Sequence, residues 1–175
     1  MAAVPNMSLR YCPRCGAQDF HSKSEKHHVC GKCDFTLYQN VAAAAGAFIR
    51  VQDEILVIER GEDPGKGQYD VPGGFIDHNE SLEDGLAREV REELGIQAQS
   101  MRYIAGFPNQ YFFKDVLYHT MDVFFEISLL EKPQLKINEN EVNRVEWLKV
   151  TELPADKFAF PSVRRVINQF FVNND

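Results

Sequence analysis

Residues 74 to 96 read Gly-Phe-Ile-Asp-His-Asn-Glu-Ser-Leu-Glu-Asp-Gly-Leu-Ala-Arg-Glu-Val-Arg-Glu-Glu-Leu-Gly-Ile, a glycine-led loop that runs into a helix carrying Glu89, Glu92 and Glu93. At about 100° per residue these positions fall within one narrow arc, so the three carboxylates converge on one patch. Hard divalent cations take such oxygens, and Mg²⁺ is usually held by a few carboxylates together with water and substrate phosphates. The implied substrate is therefore phosphorylated. Leu82, Leu86, Val90 and Leu94 fill the neighbouring arc and predict a helix packed on a sheet with its acidic edge at the rim. Glu-rich helix faces are also common as plain solvated surface, and spacing alone does not choose between the two.

The whole stretch resembles, without a mismatch, the signature of the Nudix hydrolases. That signature is Gly, five residues, Glu, seven residues, Arg-Glu-aliphatic, one residue, Glu-Glu, one residue, Gly-aliphatic, and Gly74, Glu80, Arg88, Glu89, Val90, Glu92, Glu93, Gly95 and Ile96 fill its positions. The resemblance implies hydrolysis of a nucleoside diphosphate linked to another moiety, with Mg²⁺ or Mn²⁺ as cofactor. It implies Glu89 and Glu93 as metal ligands, Glu92 as ligand or base, and Gly74 as a ligand through its backbone carbonyl. Which carboxylate acts as general base varies among relatives and stays open.

The chemistry explains why such residues are needed. A pyrophosphate bond survives in water because its anionic phosphates repel a nucleophile, so hydrolysis requires charge neutralisation, an activated water and in-line positioning. Arg88 and Glu80 read as a pair in which the guanidinium orients the carboxylates beside it. Glu141 precedes Val142-Asn-Arg-Val-Glu-Trp147, where relatives often place a further metal-binding or basic Glu, and it aligns better than Glu139. A solvated loop acid is the alternative. Arg60, at a strand end, is a candidate contact for substrate phosphate; a solvated strand-end arginine is the other reading.

All four cysteines lie in the first 33 residues, as Cys12-Pro-Arg-Cys15 and Cys30-Gly-Lys-Cys33. Two such knuckles read as one structural Zn²⁺ bound by four thiolates, with Gly16 and Gly31 permitting the tight turns that aim backbone N–H groups at sulfur. Disulfides are the alternative, disfavoured in a cytosolic chain. His21, His27 and His28 lie between the knuckles and read as surface residues.

Composition bounds the rest. A chain of 175 residues with 44% hydrophobic content and 13 Phe suits one domain plus a small appendage. Its net charge of −7 speaks against a general nucleic-acid binder, which relies on clustered Lys and Arg. No apolar run reaches the length of a membrane span, and Val41 to Ile49 is short and Ala-rich; with no signal-peptide apolar core at the N-terminus, the expected location is cytoplasmic.

The organisation follows as residues 1–11 a lead-in, 12–38 the zinc ribbon and 39–175 the Nudix hydrolase domain. Strands are predicted over Val41 to Arg50 and Glu54 to Arg60 around a Gln52-Asp53 turn, and over Tyr69 to Ile76, broken by Pro72-Gly73-Gly74. Further strands are expected over Ser100 to Gly106, Val116 to Leu130 and Val142 to Val150, with a closing helix over Pro161 to Phe171. The alternation of strands and helices implies an α/β class, here an α/β/α sandwich with a mixed sheet. Asn79 suits a left-handed turn, and Gly85, inside the helix, reads as close packing.

A zinc ribbon ahead of this signature resembles the NADH pyrophosphatase branch of the family, as does Pro72-Gly-Gly-Phe-Ile-Asp77. That branch carries Ser-Gln-Pro-Trp-Pro-Phe-Pro-x-Ser after the signature, whereas Ile104-Ala-Gly-Phe-Pro-Asn-Gln-Tyr111 keeps only Phe107-Pro108. Many members also have a larger N-terminal domain, while 11 residues precede Cys12 here. The expected substrate is thus a dinucleotide-type pyrophosphate such as NAD(H), ADP-ribose or FAD. Phe107 and Tyr111, with Phe112 and Phe113 beside them, are candidate rings for a stacking wall, although such clusters are more often core. Two other functions stay open: a non-catalytic nucleotide sensor or binding module, and decapping of nucleotide-capped RNA. The ribbon could serve a homodimer interface, brace the sheet or seat a strand of nucleic acid, and no membrane partner is expected.

Overall fold

The computed structural model of the chain describes residues 9–98, 100–114 and 116–171, so the expected lead-in lies outside the described residues except for 9–11. The first three strands, β1 (Phe20–Ser24), β2 (His27–Cys30) and β3 (Thr36–Tyr38), form an antiparallel sheet of their own. Its core is Cys12, Phe20 and Cys30, with Phe35 and Leu37 packed against them. So small an apolar cluster does not hold a fold without a further tie.

Two expectations for this segment are corrected. His28 is buried, at 6% exposure, and stacks on Phe20 with ring centroids 5.7 Å apart, because it sits on the central strand of three. The second knuckle does not use Gly31 for its turn. Gly16 (φ 69°) and Asp34 (φ 55°) are the left-handed residues of the two knuckles, each directly after its second cysteine. Gly31 instead leaves room for the Asp19 carboxylate, which a Cβ there would displace.

The second sheet is built on β4 (Ala42–Val51) and β5 (Glu54–Arg60), paired antiparallel around the Gln52-Asp53 turn. Buried residues alternate along them: Ala45, Ala47, Ile49, Leu56 and Ile58 enter one core, while Phe48, Ile55 and Val57 enter another. Strands apolar on both faces must be covered on both sides. β6 (Tyr69–Asp70) pairs with β5, and β7 (Gly73–Phe75) with β4. After the helix α1 (Leu82–Leu94) come β8 (Arg102–Phe113), β9 (Val116–Leu129) and β10 (Val142–Lys149), giving the order β10-β5-β4-β9-β8. The β4–β9 pairing is parallel and the others are antiparallel, so the sheet is mixed.

α1 covers the first core. Ser81 caps it by accepting the Asp84 N–H at 3.0 Å, and Gly95 (φ 71°) closes its C-terminus onto Arg91 O. Leu86, Val90 and Leu94 are fully buried against the small Ala45 and Ala47, whose missing bulk lets the helix approach the strand. Each such side chain contributes about 1.5–3 kcal/mol by leaving water. The opposite face is covered by α2 (Pro161–Val166), which runs into a π-helical segment, Ile167–Phe171, with Val163, Val166, Ile167 and Phe171 in the core. The expected single closing helix is therefore an α-turn followed by a π-segment. The expected Ser100 to Gly106 strand starts at Arg102 and runs on to Phe113 in the structure, because Asn109 and Gln110, poor strand formers alone, pair with Thr120 and His119 of β9.

Candidate active site

The loop between β6 and β7 brings the signature together. Gly73 adopts φ 144°, and a Cβ on it would run into the Ala45 carbonyl of β4, so this position accepts glycine alone. Held against β4, its N–H points at α1 and donates to Glu93 Oε2 at 2.9 Å. Gly74 is less constrained, since an added Cβ would fall 2.6 Å from Oε1 of the Glu89 side chain, which can shift. The close approaches of both glycines are to the chain itself.

Arg88 organises the carboxylates. Its Nε and Nη2 donate to Glu80 Oε1 and Oε2 at 2.8 and 3.0 Å, and Nη2 also reaches Phe75 O at 3.1 Å. Its Nη1 donates to Glu89 Oε1 at 2.8 Å and to Glu92 Oε2 at 3.3 Å. The three glutamates form a gradient of depth, from Glu93 (6% exposed) through partly covered Glu89 to exposed Glu92. Glu141 is tied to the same helix: Asn138 N donates to Glu93 O at 2.9 Å, and Glu141 N to Asn138 O at 3.1 Å.

Electrostatics follow from this arrangement. Burial pushes the Glu93 carboxyl well above the usual range, against the Gly73 N–H, and the charges of Glu89, Asp70 and Glu141 push the same way. Burial raises Glu89 as well, with Arg88 opposing. Hydrogen bonds from Arg88 and the Asp77 N–H hold Glu80 down. Buried carboxylates with few donors call for a cation. An all-oxygen donor set beside exposed Glu92 suits a hard dication. Among the described residues the carboxylates of α1 do not close into a ligand cluster, since Glu89 and Glu92 turn to Arg88; the cysteines do.

The four cysteine Sγ atoms all lie within 4.8 Å of one another, with Cys12–Cys33 and Cys15–Cys30 each at 3.7 Å. A tetrahedron with Zn–S bonds of about 2.3 Å has edges of about 3.8 Å, so the spacing fits zinc. Burial of Cys12 is outweighed by the Cys15 and Arg14 N–H groups, which bring its thiol down to about 7. Cys33 is eased by the Phe35 N–H yet pushed up to about 12 by burial and its thiol neighbours. A thiolate is the form zinc takes.

A cavity of about 400 Å³ opens beside the signature, within the range of small-molecule sites. Gly74, Glu89, Glu92, Glu93 and Glu141 line it together with Arg60, Tyr111 and Phe160. Arg60 is more engaged than its strand-end position suggested. It donates to Asp70 Oδ2 at 2.8 Å and to Pro64 O at 2.7 Å, and its guanidinium lies 4.9 Å over the Phe160 ring. Phe160 stacks on Tyr111 at 5.7 Å, and Tyr111 meets the edge of Phe75 at 5.3 Å.

Phe107 is a correction. It shares the β8 face with Tyr111, but at about 3.3 Å per residue it lies some 13 Å further along the strand. There it packs into the core beneath α2 and under Arg165, not on the cavity. The structure adds residues that sequence reading missed: Asp70, Asn109, Thr120, Asp122 and Phe160. The sequence carried no signal for the strand pair, since Thr120 and Asp122 share their face of β9 with Glu126 and Ser128 and so read as part of an ordinary polar face.

A mixed sheet covered on both faces, with a capped helix presenting carboxylates to a cavity, defines an α/β protein with an acidic cavity beside that helix. The chain belongs to the NUDIX domain family, whose profile matches residues 40–170. It is 29% identical over 147 residues to the NAD-capped RNA hydrolase NudC of Vibrio parahaemolyticus, covering 84% of this chain and 54% of that protein. For the protein of the same name from Escherichia coli O1:K1 the identity is 30%, with the same coverage. This chain thus spans about half the length of the curated relatives it matches. In fold it is similar to a NUDIX hydrolase from Nitrosomonas europaea, with TM-score 0.72 at 20% identity, covering 93% of this chain and 90% of that one. It is also similar to the NUDIX domain of Shewanella oneidensis NrtR, a structure determined in complex with ADP ribose, with TM-score 0.61 at 19% identity over 74% and 86% of the two chains.

Proposed function

We propose that the chain hydrolyses the pyrophosphate bond of a nucleoside diphosphate linked to another moiety, with a dinucleotide such as NAD(H), ADP-ribose or FAD as substrate. The observation that carries this reading is the make-up of one cavity, in which the carboxylates of the signature share the lining with Arg60 and the rings of Tyr111 and Phe160. Glu89, Glu92 and Glu93, with the Gly74 carbonyl, would hold Mg²⁺ or Mn²⁺. Such an ion supplies neutralisation of the phosphates and a water acidified toward neutral pH. Arg88 positions Glu89 and Glu92 through the hydrogen bonds given above, and Glu92, Glu93 or Glu141 takes the proton of the attacking water. Arg60 and Tyr111 contact the substrate. The zinc ribbon, residues 12–38, binds one structural Zn²⁺ and precedes the hydrolase domain at 39–175.

The similarity to NAD-capped RNA hydrolases favours a second reading, in which the pyrophosphate belongs to an NAD cap on RNA. The net charge of −7 sets a limit on it, because extended RNA contacts need clustered cations and lose affinity with salt. A screen of NADH, ADP-ribose, FAD and NAD-capped RNA in Mg²⁺ or Mn²⁺, with products identified, tests both. Nucleoside monophosphate release by the wild type, absent in Glu93→Gln, is the expected result. Equal rates in that variant would overturn the metal site, and no turnover of any of these would overturn the hydrolase reading.

A further inference from the structure

Among the described residues one cationic side chain, Arg60, lines the cavity, against eight acidic ones. A guanidinium left free on its long side chain would be drawn to whichever carboxylate it met. The strand pairing prevents this. Ile58 of β5 pairs with Asp70 of β6, so Arg60, two residues on from Ile58, shares its face with Asp70 as a diagonal neighbour. Asp70 is 6% exposed and its carboxylate is itself fixed, because Oδ1 accepts the Val71 N–H at 2.9 Å while Oδ2 accepts Arg60 Nη1 at 2.8 Å. Arg60 Nε turns to Pro64 O at 2.7 Å, and the Phe160 ring covers the guanidinium at 4.9 Å. Nη2 takes part in neither bond and is not an enclosed atom. Asp122, the other deeply buried acid away from the signature, does not compete for Arg60. It takes its donors from Thr120 Oγ1 and Ser162 Oγ, each at 2.6 Å, in a polar wall between β9 and α2.

We propose that Asp70 is a positioning residue, which holds Arg60 so that the Nη2 edge of its guanidinium meets the phosphates of the bound nucleotide. A charge-assisted pair adds direction as well as strength, and the planar fork of an arginine serves a phosphate only at the right angle. Stability does not account for the pair. A buried ion pair is often no better than apolar side chains of similar volume, and an acid beside a phosphate site lowers anion affinity by charge alone. What Asp70 does to Arg60 explains its presence there. The inference rests on the nucleotide reading given above, in which Arg60 contacts the substrate, and adds the residue through which that contact is aimed.

The test titrates α,β-methylene-ADP, whose bridging carbon resists hydrolysis, into the full chain with Mg²⁺ by calorimetry. Charge and positioning predict opposite signs. Removing a carboxylate should by charge alone tighten diphosphate binding, whereas Asp70→Asn should weaken it roughly tenfold, as should Arg60→Ala. In the double variant the loss should be no greater than in Arg60→Ala alone, because Asp70 acts through Arg60. Asp70→Ala, which places no amide in the buried position, must show the same loss and decides the matter where the asparagine variant does not fold. Unchanged or tighter binding in the Asp70 variants, losses that add in the double variant, or a wild type that does not bind the analogue would each overturn the proposal. Binding that depends on both residues in a chain that cleaves no pyrophosphate overturns the hydrolase reading alone. Cleavage by Asp70→Asn at the wild-type KM overturns this inference alone.

Discussion

Glu93 Oε2 accepts the backbone N–H of Gly73 at 2.9 Å, so the most buried carboxylate of α1 is held by a loop that only glycine can form. The bond couples the helix to β4 through β7, and it aims the carboxylate at the cavity. Stability and the proposed metal site are therefore joined at this contact.

Gly73→Ala tests the loop. With φ at 144° and the Ala45 carbonyl in the way of a Cβ, alanine should cost about 3 kcal/mol. Urea unfolding measures the loss, and a change below about 1 kcal/mol would show that the loop relaxes freely.

Metal binding should strengthen as pH rises. Burial lifts Glu93 and Glu89 above ordinary carboxylates, which titrate near about 4.3 in the unfolded chain. Above that value the folded state binds more protons than the unfolded one, so metal-free stability is lost as pH climbs through the raised values. A dication replaces those protons. The rise in Tm produced by Mg²⁺ should therefore grow with pH across this window, as calorimetry between about pH 5 and about pH 8 would show. Glu93→Gln should raise the metal-free Tm, remove most of the Mg²⁺ effect and lower kcat by roughly 10²–10³-fold. A Mg²⁺ effect that shrinks with pH is the contrary result.

Glu80→Gln isolates the grip on Arg88. The bidentate pair at 2.8 and 3.0 Å keeps the guanidinium from swinging away from Glu89 and Glu92. Its loss should weaken Mg²⁺ dependence roughly 10–100-fold, read from the metal concentration at half-maximal rate. An unchanged midpoint would leave the pair a purely local contact.

Cys30→Ser addresses the ribbon. Metal analysis should find about one Zn²⁺ per wild-type chain and none in the variant. The seven-stranded sheet has its own two cores, so far-ultraviolet circular dichroism should keep most of its signal. Zinc retained in the variant would contradict a four-thiolate site.

Local spacing determined much of this protein. Three glutamates within one helical arc, two paired-cysteine knuckles and the alternation of apolar residues are periodic features, and periodicity is a property of the chain before it folds. They made the helix Leu82–Leu94, the mixed α/β architecture and the four-cysteine cluster legible. Tertiary structure alone decided the rest, because it depends on what two distant segments do to each other. Pairing with β9 extended β8 through Asn109 and Tyr111, and α2 took Phe107 into the core. The β4 carbonyl made Gly73 obligatory, Asp70 engaged Arg60, and β9 with Ser162 enclosed a polar wall that no motif announces. Spacing along one helix says which groups can meet a phosphate; strands brought together from far apart say what else the cavity can recognise.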